Sequence, residues 1–269
     1  MKHMKAYTKH LFYASGLSNV LDNLVYYYNK VKFYKRNERF KKSCKQLLPP
    51  DYFLYETYQL NYRDYCIDGQ ASAEEILSWA RKYYPVPLQT ILEWGCGVGR
   101  IIAHLPKYAG KNAELFGCDV NSKMIKWNSE NIKGIVFSIS GHEPPAGYED
   151  EKFDLVYGIS VFTHIHQTSQ LKWMEEIARV LKKGGLFIFT THGKGYCSQM
   201  LPFERKQFNN TGSYTREFYK KGHRLMTTYN EAEHFKQQMG SCFELMEYSD
   251  GATNSNKAGG QDLWIVKKR

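Results

Sequence analysis

Short apolar runs alternate with amphipathic stretches through most of this chain, which predicts an α/β protein with a doubly wound, mainly parallel sheet. Three observations lead to that expectation. The run Ile91-Leu92-Glu93-Trp94 reads as a buried strand and passes directly into the glycine turn Gly95-Cys96-Gly97-Val98-Gly99-Arg100. Further strand-like runs recur near 114–118, 135–139, 153–158, 186–191, 242–247 and 262–267. Between strands lie apolar residues at helical spacing, as in Leu171, Met174, Ile177, Ala178 and Leu181.

The remaining elements follow in order. Ile76, Leu77, Ala80 and Tyr83 share one face of a helix expected from about Ala71 to Tyr84. Ile101-Ile102 opens a helix expected from Arg100 to about Tyr108, and another starts near Ser122. Gly184-Gly185 supplies a helix stop before the strand at 186–191, and Gly251 to Gly260 reads as a loop. The segment 193–224 is longer than an ordinary connection; it reads as a cover over a substrate or as a plain surface lid.

The glycine turn directs the search for function. Alternate glycines let the backbone turn tightly and let a ligand lie against it. The dinucleotide fingerprint needs glycine where Arg100 stands, and Glu93 at the strand end repels phosphate. An acidic strand end suits a ligand with a cationic end, such as the amino group and sulfonium of S-adenosylmethionine. Asp119, followed by Val120, closes the run Glu114-Leu115-Phe116-Gly117-Cys118 at the tip of the second strand. A carboxylate there can accept hydrogen bonds from a ribose diol, or it can cap the next helix.

Composition sets bounds on the rest. With 269 residues and 42% hydrophobic content, the chain can bury one large core. No 18-residue apolar stretch or secretory signal is visible. The six cysteines form no metal-binding spacing, and reduced thiols in a cytoplasmic protein is the economical reading. Residues 1–48 hold 11 of the 37 Lys/Arg residues but only Asp22 and Glu38 among the acids, so they carry nine of the net ten positive charges. The rest is close to neutral, which argues against a nucleic-acid enzyme with a basic catalytic mouth.

Within that basic segment, Leu17, Leu21, Leu24, Tyr28 and Val31 line one side of a helix. The helix either packs on its own domain or docks to an anionic membrane surface or a partner enzyme. Pro49-Pro50 marks a boundary between a basic helical extension, 1–50, and the main domain, 51–269.

From about residue 60 to 269 the chain resembles the class I S-adenosylmethionine-dependent methyltransferases. Besides Glu93 to Arg100 and Asp119, the likeness rests on Phe153-Asp154-Leu155-Val156-Tyr157-Gly158-Ile159-Ser160-Val161-Phe162-Thr163-His164-Ile165. It also rests on Ile177-Ala178-Arg179-Val180-Leu181-Lys182-Lys183-Gly184-Gly185-Leu186, where the family usually has proline in place of Lys183. The resemblance implies a Rossmann-like sheet of seven strands with the last antiparallel, and S-adenosyl-L-methionine as cofactor. It implies a cofactor site from Glu93, Trp94, Gly95, Cys96, Gly97, Gly99, Arg100, Asp119 and Val120. Gly141 and His142 fall where the family holds adenine, although the His142 side chain may equally face solvent; Ile159 and Ser160 line the same pocket. Pro144-Pro145 precedes the fourth strand, so the Asn/Asp-Pro-Pro-aromatic motif of amino-directed enzymes is missing from its place.

Methyl transfer is an in-line displacement in which positioning can supply on the order of 7–11 kcal/mol. Trp94 and the tyrosines at 58, 62 and 65 are candidates for holding a sulfonium, or ordinary core residues. A hydroxyl acceptor needs a general base, and His164 and His192, after strands four and five, are candidates; His166 is nearby. An amine or thiol acceptor needs none. In the 193–224 segment, Phe203, Phe208, Tyr214 and Phe218 mix with Lys194, Arg205, Lys206, Arg216 and Arg224, a mixture suited to a sugar bearing acidic groups. Ser160 to Ile165, Phe189-Thr190-Thr191-His192-Gly193 and Gly260-Gln261-Asp262-Leu263-Trp264-Ile265-Val266 look like bacterial methyltransferases of cell-surface glycan assembly. The expected reaction is therefore O-methylation of a sugar or glycan in the cytoplasm, peripherally at the inner membrane surface or beside a glycosyltransferase. Methylation of another small molecule or RNA, and a non-catalytic cofactor-binding scaffold, are the alternatives. No metal is expected.

Overall fold

The computed structural model describes residues 18–44, 46–217, 226–253 and 260–269. Three helices come first: α1 (Ser18–Ser43), α2 (Asp51–Tyr58) and α3 (Tyr62–Tyr83). The sheet strands are β1 (Thr90–Trp94), β2 (Glu114–Asp119), β3 (Ile135–Ile139), β4 (Phe153–Gly158) and β5 (Leu181–Thr191). A small hairpin follows, β6 (Ser213–Arg216) with β7 (Thr227–Asn230), and then β8 (Phe243–Ser249) and β9 (Asp262–Lys268). Helices α4 (Ser122–Asn131), α5 (Gln167–Val180), α6 (Pro202–Thr211) and α7 (Ala232–Met239) complete the chain order.

The seven-stranded sheet runs β3-β2-β1-β4-β5-β9-β8, with β9 antiparallel to both neighbours and the first five strands parallel. All seven strands fall where the apolar runs predict them. Period-two alternation assigns the faces. Leu92, Val156, Phe187 and Trp264 face Trp173, Ile177 and Phe235 on one side. Ile91, Leu155, Leu186 and Ile188 face Ile76, Leu77 and Ala80 on the other. The order reverses between β1 and β4, and ligands in such sheets bind at the carboxyl ends beside that reversal.

Four expectations are corrected. The helix expected from Arg100 is a short 3₁₀ turn, Ile102–Lys107, because Pro106 has no N–H to extend an α-helical ladder. The helix expected at Ala71 starts at Tyr62, where Asn61 accepts the Asp64 N–H. Leu171, expected on the packed face of α5, is exposed, and α5 ends at Val180, ahead of Gly184. Helix α1 forms, but it packs through the face opposite the apolar stripe. Tyr26, Phe33 and Phe40 lie against the cluster containing Leu54, Tyr55 and Tyr62, while Asn29 and Asn37 are buried between them. Leu24, Tyr28 and Val31 are exposed, and Leu17 lies outside the described residues.

Polar contacts tie α1 to the domain. Tyr55 donates to Asp22, Asn37 donates to the Leu60 carbonyl, and Asp51 takes Lys30, Lys41 and Tyr62. Helix α3 in turn approaches the glycine turn closely. A Cβ added to Gly69 would stand 2.4 Å from the Arg100 carbonyl oxygen, so only glycine fits there. Gly69→Ala should therefore lower unfolding stability by about 1–3 kcal/mol, as overpacking against backbone does. Urea denaturation followed by circular dichroism checks this; an unchanged midpoint would show that the approach is not tight.

Candidate active site

The glycine turn is held by backbone hydrogen bonds and one carboxylate. Gly95, Gly97 and Gly99 all have positive φ, at 74°, 52° and 71°. The Gly95 and Cys96 amides donate to the Cys118 carbonyl at the end of β2. Asp119 Oδ2 accepts the Gly97 amide at 2.9 Å and Oδ1 accepts the Asn121 amide at 2.8 Å. Turn carbonyls are satisfied too: Asn128 donates to Gly97 and Tyr65 to Val98. A carboxylate offers about four acceptor sites, so Asp119 keeps capacity for a diol while fixing the turn. The helix-cap role belongs instead to Asn121, which accepts the Lys123 and Met124 amides.

Glu93 lies at the turn's base. Register pairs it with Tyr157 on β4, which puts both side chains on one sheet face. Its Oε2 accepts the Tyr157 hydroxyl at 3.0 Å and the Ile102 amide at 2.9 Å. Burial pushes the Glu93 carboxyl up to about 8, against the downward pull of Tyr157, Arg100 and Ile102. Asp119 is also raised by burial, opposed by the Asn121, Gly97 and Val120 amides.

Both acids line a cavity of about 1040 Å³ at the carboxyl ends of β1, β2 and β4. Trp94, Gly95, Cys96, Gly97, Arg100, Val120, Gly141, His142, Ile159, Ser160 and His164 line it too. Gly99 and His192 do not. The positive φ of Gly99 serves the turn, where a Cβ would stand 2.6 Å from Ile132 Cδ1. His192 is buried with its ring stacked on Tyr196 at 4.0 Å between centroids. Burial, then the charge of His164, drives its proton affinity down to about 3. Of the four aromatics considered for a cation, Trp94 and Tyr58 reach the cavity. Tyr65 bonds the turn, and Tyr62 bonds Asp51 and the Pro49 carbonyl.

His164 has a defined tautomer. Its Nδ1 lies 2.7 Å from the Met226 carbonyl oxygen. That oxygen has no proton to give, so Nδ1 carries a hydrogen, and in the neutral ring the lone pair is on Nε2. Ser160 occupies a left-handed backbone conformation at φ 62°, held by Thr190 at its amide, Thr163 at its carbonyl and Gln261 at its hydroxyl.

The 193–224 segment behaves differently from its composition. Among its described residues, 193–217, none lines the cavity; Met226, just beyond, does. Three of its described cations have partners within the protein. Arg216 forms a double ion pair with the fully buried Glu204, Arg205 donates to the Cys197 carbonyl, and Lys194 pairs with Glu231. Phe208 is buried, and Phe218 and Arg224 lie outside the described residues. Sequence reasoning also missed a wall of the cavity. Glu56, Thr57 and Tyr58 from α2 and Ile67, Asp68 and Ala71 from α3 line it. The Tyr58–Asp68 hydrogen bond and Arg100 over the Tyr58 ring connect that wall to the turn. No periodicity marks those residues, because only their packing over the turn gives them a role.

The site fits an adenosyl sulfonium. Gly95 and Gly97 line the cavity without side chains, and a Cβ on Gly95 would stand 2.4 Å from Val161 Cγ2. Asp119 suits a diol and Glu93 suits a cation. Residues 92–189 match a family model described as a methyltransferase domain. The chain is 23% identical over 159 residues to the tRNA N(3)-methylcytidine methyltransferase Mettl2 of Drosophila melanogaster, covering 56% of this chain and 47% of that one. It is 31% identical over 102 residues to the fatty-acid O-methyltransferase of Mycolicibacterium smegmatis, covering 37% of this chain and 36% of the relative. The chain thus spans about half, or less, of these curated relatives. Among solved structures, CalS10, an amino pentose methyltransferase from Micromonospora echinaspora, shares the fold. Its TM-score is 0.58 at 12% identity, over 84% of this chain and 100% of that one.

Two binding experiments test the carboxylates. Asp119→Ala removes the Gly97 staple and the diol acceptor together. Cofactor affinity measured by calorimetry should fall about 10- to 100-fold, the range for hydrogen bonds to a charged group. Glu93 is mostly protonated below about 8 in the free protein, whereas a bound cation favours its carboxylate. Binding should therefore release a proton below that pH, so affinity rises with pH and levels off above about 8. Enthalpies compared across buffers of different ionisation heat would reveal a missing proton, and Glu93→Gln should abolish the dependence. Residues 92–189 thus match a methyltransferase domain, and the sheet order and the glycine turn with its two acids accord with S-adenosylmethionine as its cofactor.

Proposed function

We propose that this chain transfers a methyl group to a hydroxyl of a sugar or glycan precursor. The observation behind this reading is the His164 tautomer. The hydrogen bond from Nδ1 to Met226 orients a lone-pair nitrogen on a cavity-lining residue, as a hydroxyl acceptor requires. The bound cofactor supplies a methyl group on a sulfonium, a leaving group that becomes neutral as the methyl departs. Glu93 and Asp119 hold the two ends of that donor, and His164 takes the acceptor proton. His192, outside the lining and held to low basicity, has no part in this scheme.

The cavity supports a second molecule beside the cofactor. About 1040 Å³ is at the upper end of single-ligand pockets. Around His164 its wall includes Ser169, whose hydroxyl donates to Glu143, and His166, which pairs with Glu217. The likeness of the segments after β4, β5 and at β9 to glycan-assembly methyltransferases supports the sugar class, with a glycosyltransferase as a fitting neighbour. Mettl2 of Drosophila melanogaster acts on tRNA by its name, which gives RNA a place as the second reading.

Incubation of the chain with radiolabelled cofactor and, separately, sugar nucleotides, lipid-linked glycans, fatty acids and tRNA tests the acceptor. Label should enter a sugar-containing acceptor; label entering only tRNA or fatty acid would replace the proposal. His164→Ala should lower kcat about 10²–10⁴-fold while cofactor affinity stays unchanged. A variant with full turnover would remove the base from the mechanism.

A further inference from the structure

We propose that α1 docks the protein to an anionic lipid bilayer through the face turned away from the domain. Val20, Leu24, Tyr27, Tyr28, Val31 and Tyr34 all lie on the outer side of this helix and are 56–79% exposed. Apolar side chains on a helix surface at spacings of four and three normally meet a partner. Here the partnered side is the opposite one, filled by Tyr26, Phe33 and Phe40.

The same outer surface changes character along its length. Beyond Val31 it presents Lys35, Arg39 and Lys42, flanked by Lys32 and Arg36, with Glu38 among them paired to Lys41. All five cations are exposed and make no ion pair among the described residues. Lys30 and Lys41, by contrast, are drawn to Asp51. The face is thus apolar and aromatic at one end and cationic at the other.

That division selects the occupant. In a parallel pair with a second copy, the cationic halves would oppose each other. In a full-length antiparallel pair, each apolar half would meet a cationic one. RNA would satisfy the cations but leave Val20, Leu24 and Val31 in water. An anionic bilayer satisfies both halves: an apolar layer accepts the valines and leucine, tyrosine rings settle at headgroup level, and acidic headgroups meet the lysines and arginines. Docking of this kind does not depend on which acceptor the cavity takes.

Flotation of the full-length chain with vesicles of phosphatidylserine and phosphatidylcholine, and of phosphatidylcholine alone, is the test. The chain should float with the anionic vesicles, much less with the neutral ones, and should be released as salt is raised. Leu24→Glu with Val31→Glu, and separately Lys35→Glu with Arg39→Glu and Lys42→Glu, should each weaken vesicle binding by at least about tenfold. These positions lie outside the cofactor site, so cofactor affinity should be unchanged and reports that the variants are folded. Equal flotation with both vesicle types, or none, overturns the proposal. So does retention by tRNA in place of vesicles. Sedimentation equilibrium showing a wild-type dimer that Leu24→Glu with Val31→Glu dissociates would assign the face to a second copy instead.

Discussion

The hydrogen bond from the Gly97 amide to Asp119 joins the ends of β1 and β2 at the mouth of the cavity. It fastens a turn whose three glycines hold left-handed backbone to the tip of the neighbouring strand, so the turn cannot drift from the sheet edge. The Cys118 carbonyl takes two more amides of the same turn, and Asn128 and Tyr65 satisfy its carbonyls. A loop so completely bonded can present bare backbone to a ligand without leaving its own polar groups unpaired. Asp119 thereby fixes the turn and keeps lone pairs beyond those the Gly97 and Asn121 amides use.

Burial adds a second consequence. Glu93 stands in a nearly dry environment beneath the turn, and its two hydrogen bonds do not offset the loss of water. Burial therefore raises this acid toward its neutral form, and a cationic ligand beside it would favour the carboxylate. Residues of α2 and α3 form one wall of the cavity, and Gly69 lets α3 lie directly on the turn.

Charge is distributed elsewhere for structural ends. The inserted segment before β7 contains cations that look available in the sequence, yet Arg216 is spent on Glu204 and Lys194 on Glu231. Just beyond it, the Met226 backbone carbonyl accepts the Nδ1–H of His164. The surplus of unpaired cations lies on α1, at the far end of a helix whose other exposed half is apolar.

Much of the fold is legible in the chain. The seven strands follow from apolar runs with period two, because side chains on a pleated strand must alternate between two buried faces. The glycine turn and the acids at 93 and 119 are legible too, since backbone conformation and charge at a strand tip are local properties. The packed side of α1 was not: Asn29 and Asn37 interrupt its pattern, while Leu24, Tyr28 and Val31 make a clearer stripe that faces outward. Nor could His164 and His192 be told apart, because each is a loop histidine after a strand. Which one meets the cavity depends on packing: Met226, 62 residues on, takes the Nδ1–H of the first, whereas the second is buried and stacks on nearby Tyr196. Periodicity and local backbone preference are written residue by residue, whereas burial and tautomer exist only once remote parts of the chain have packed together.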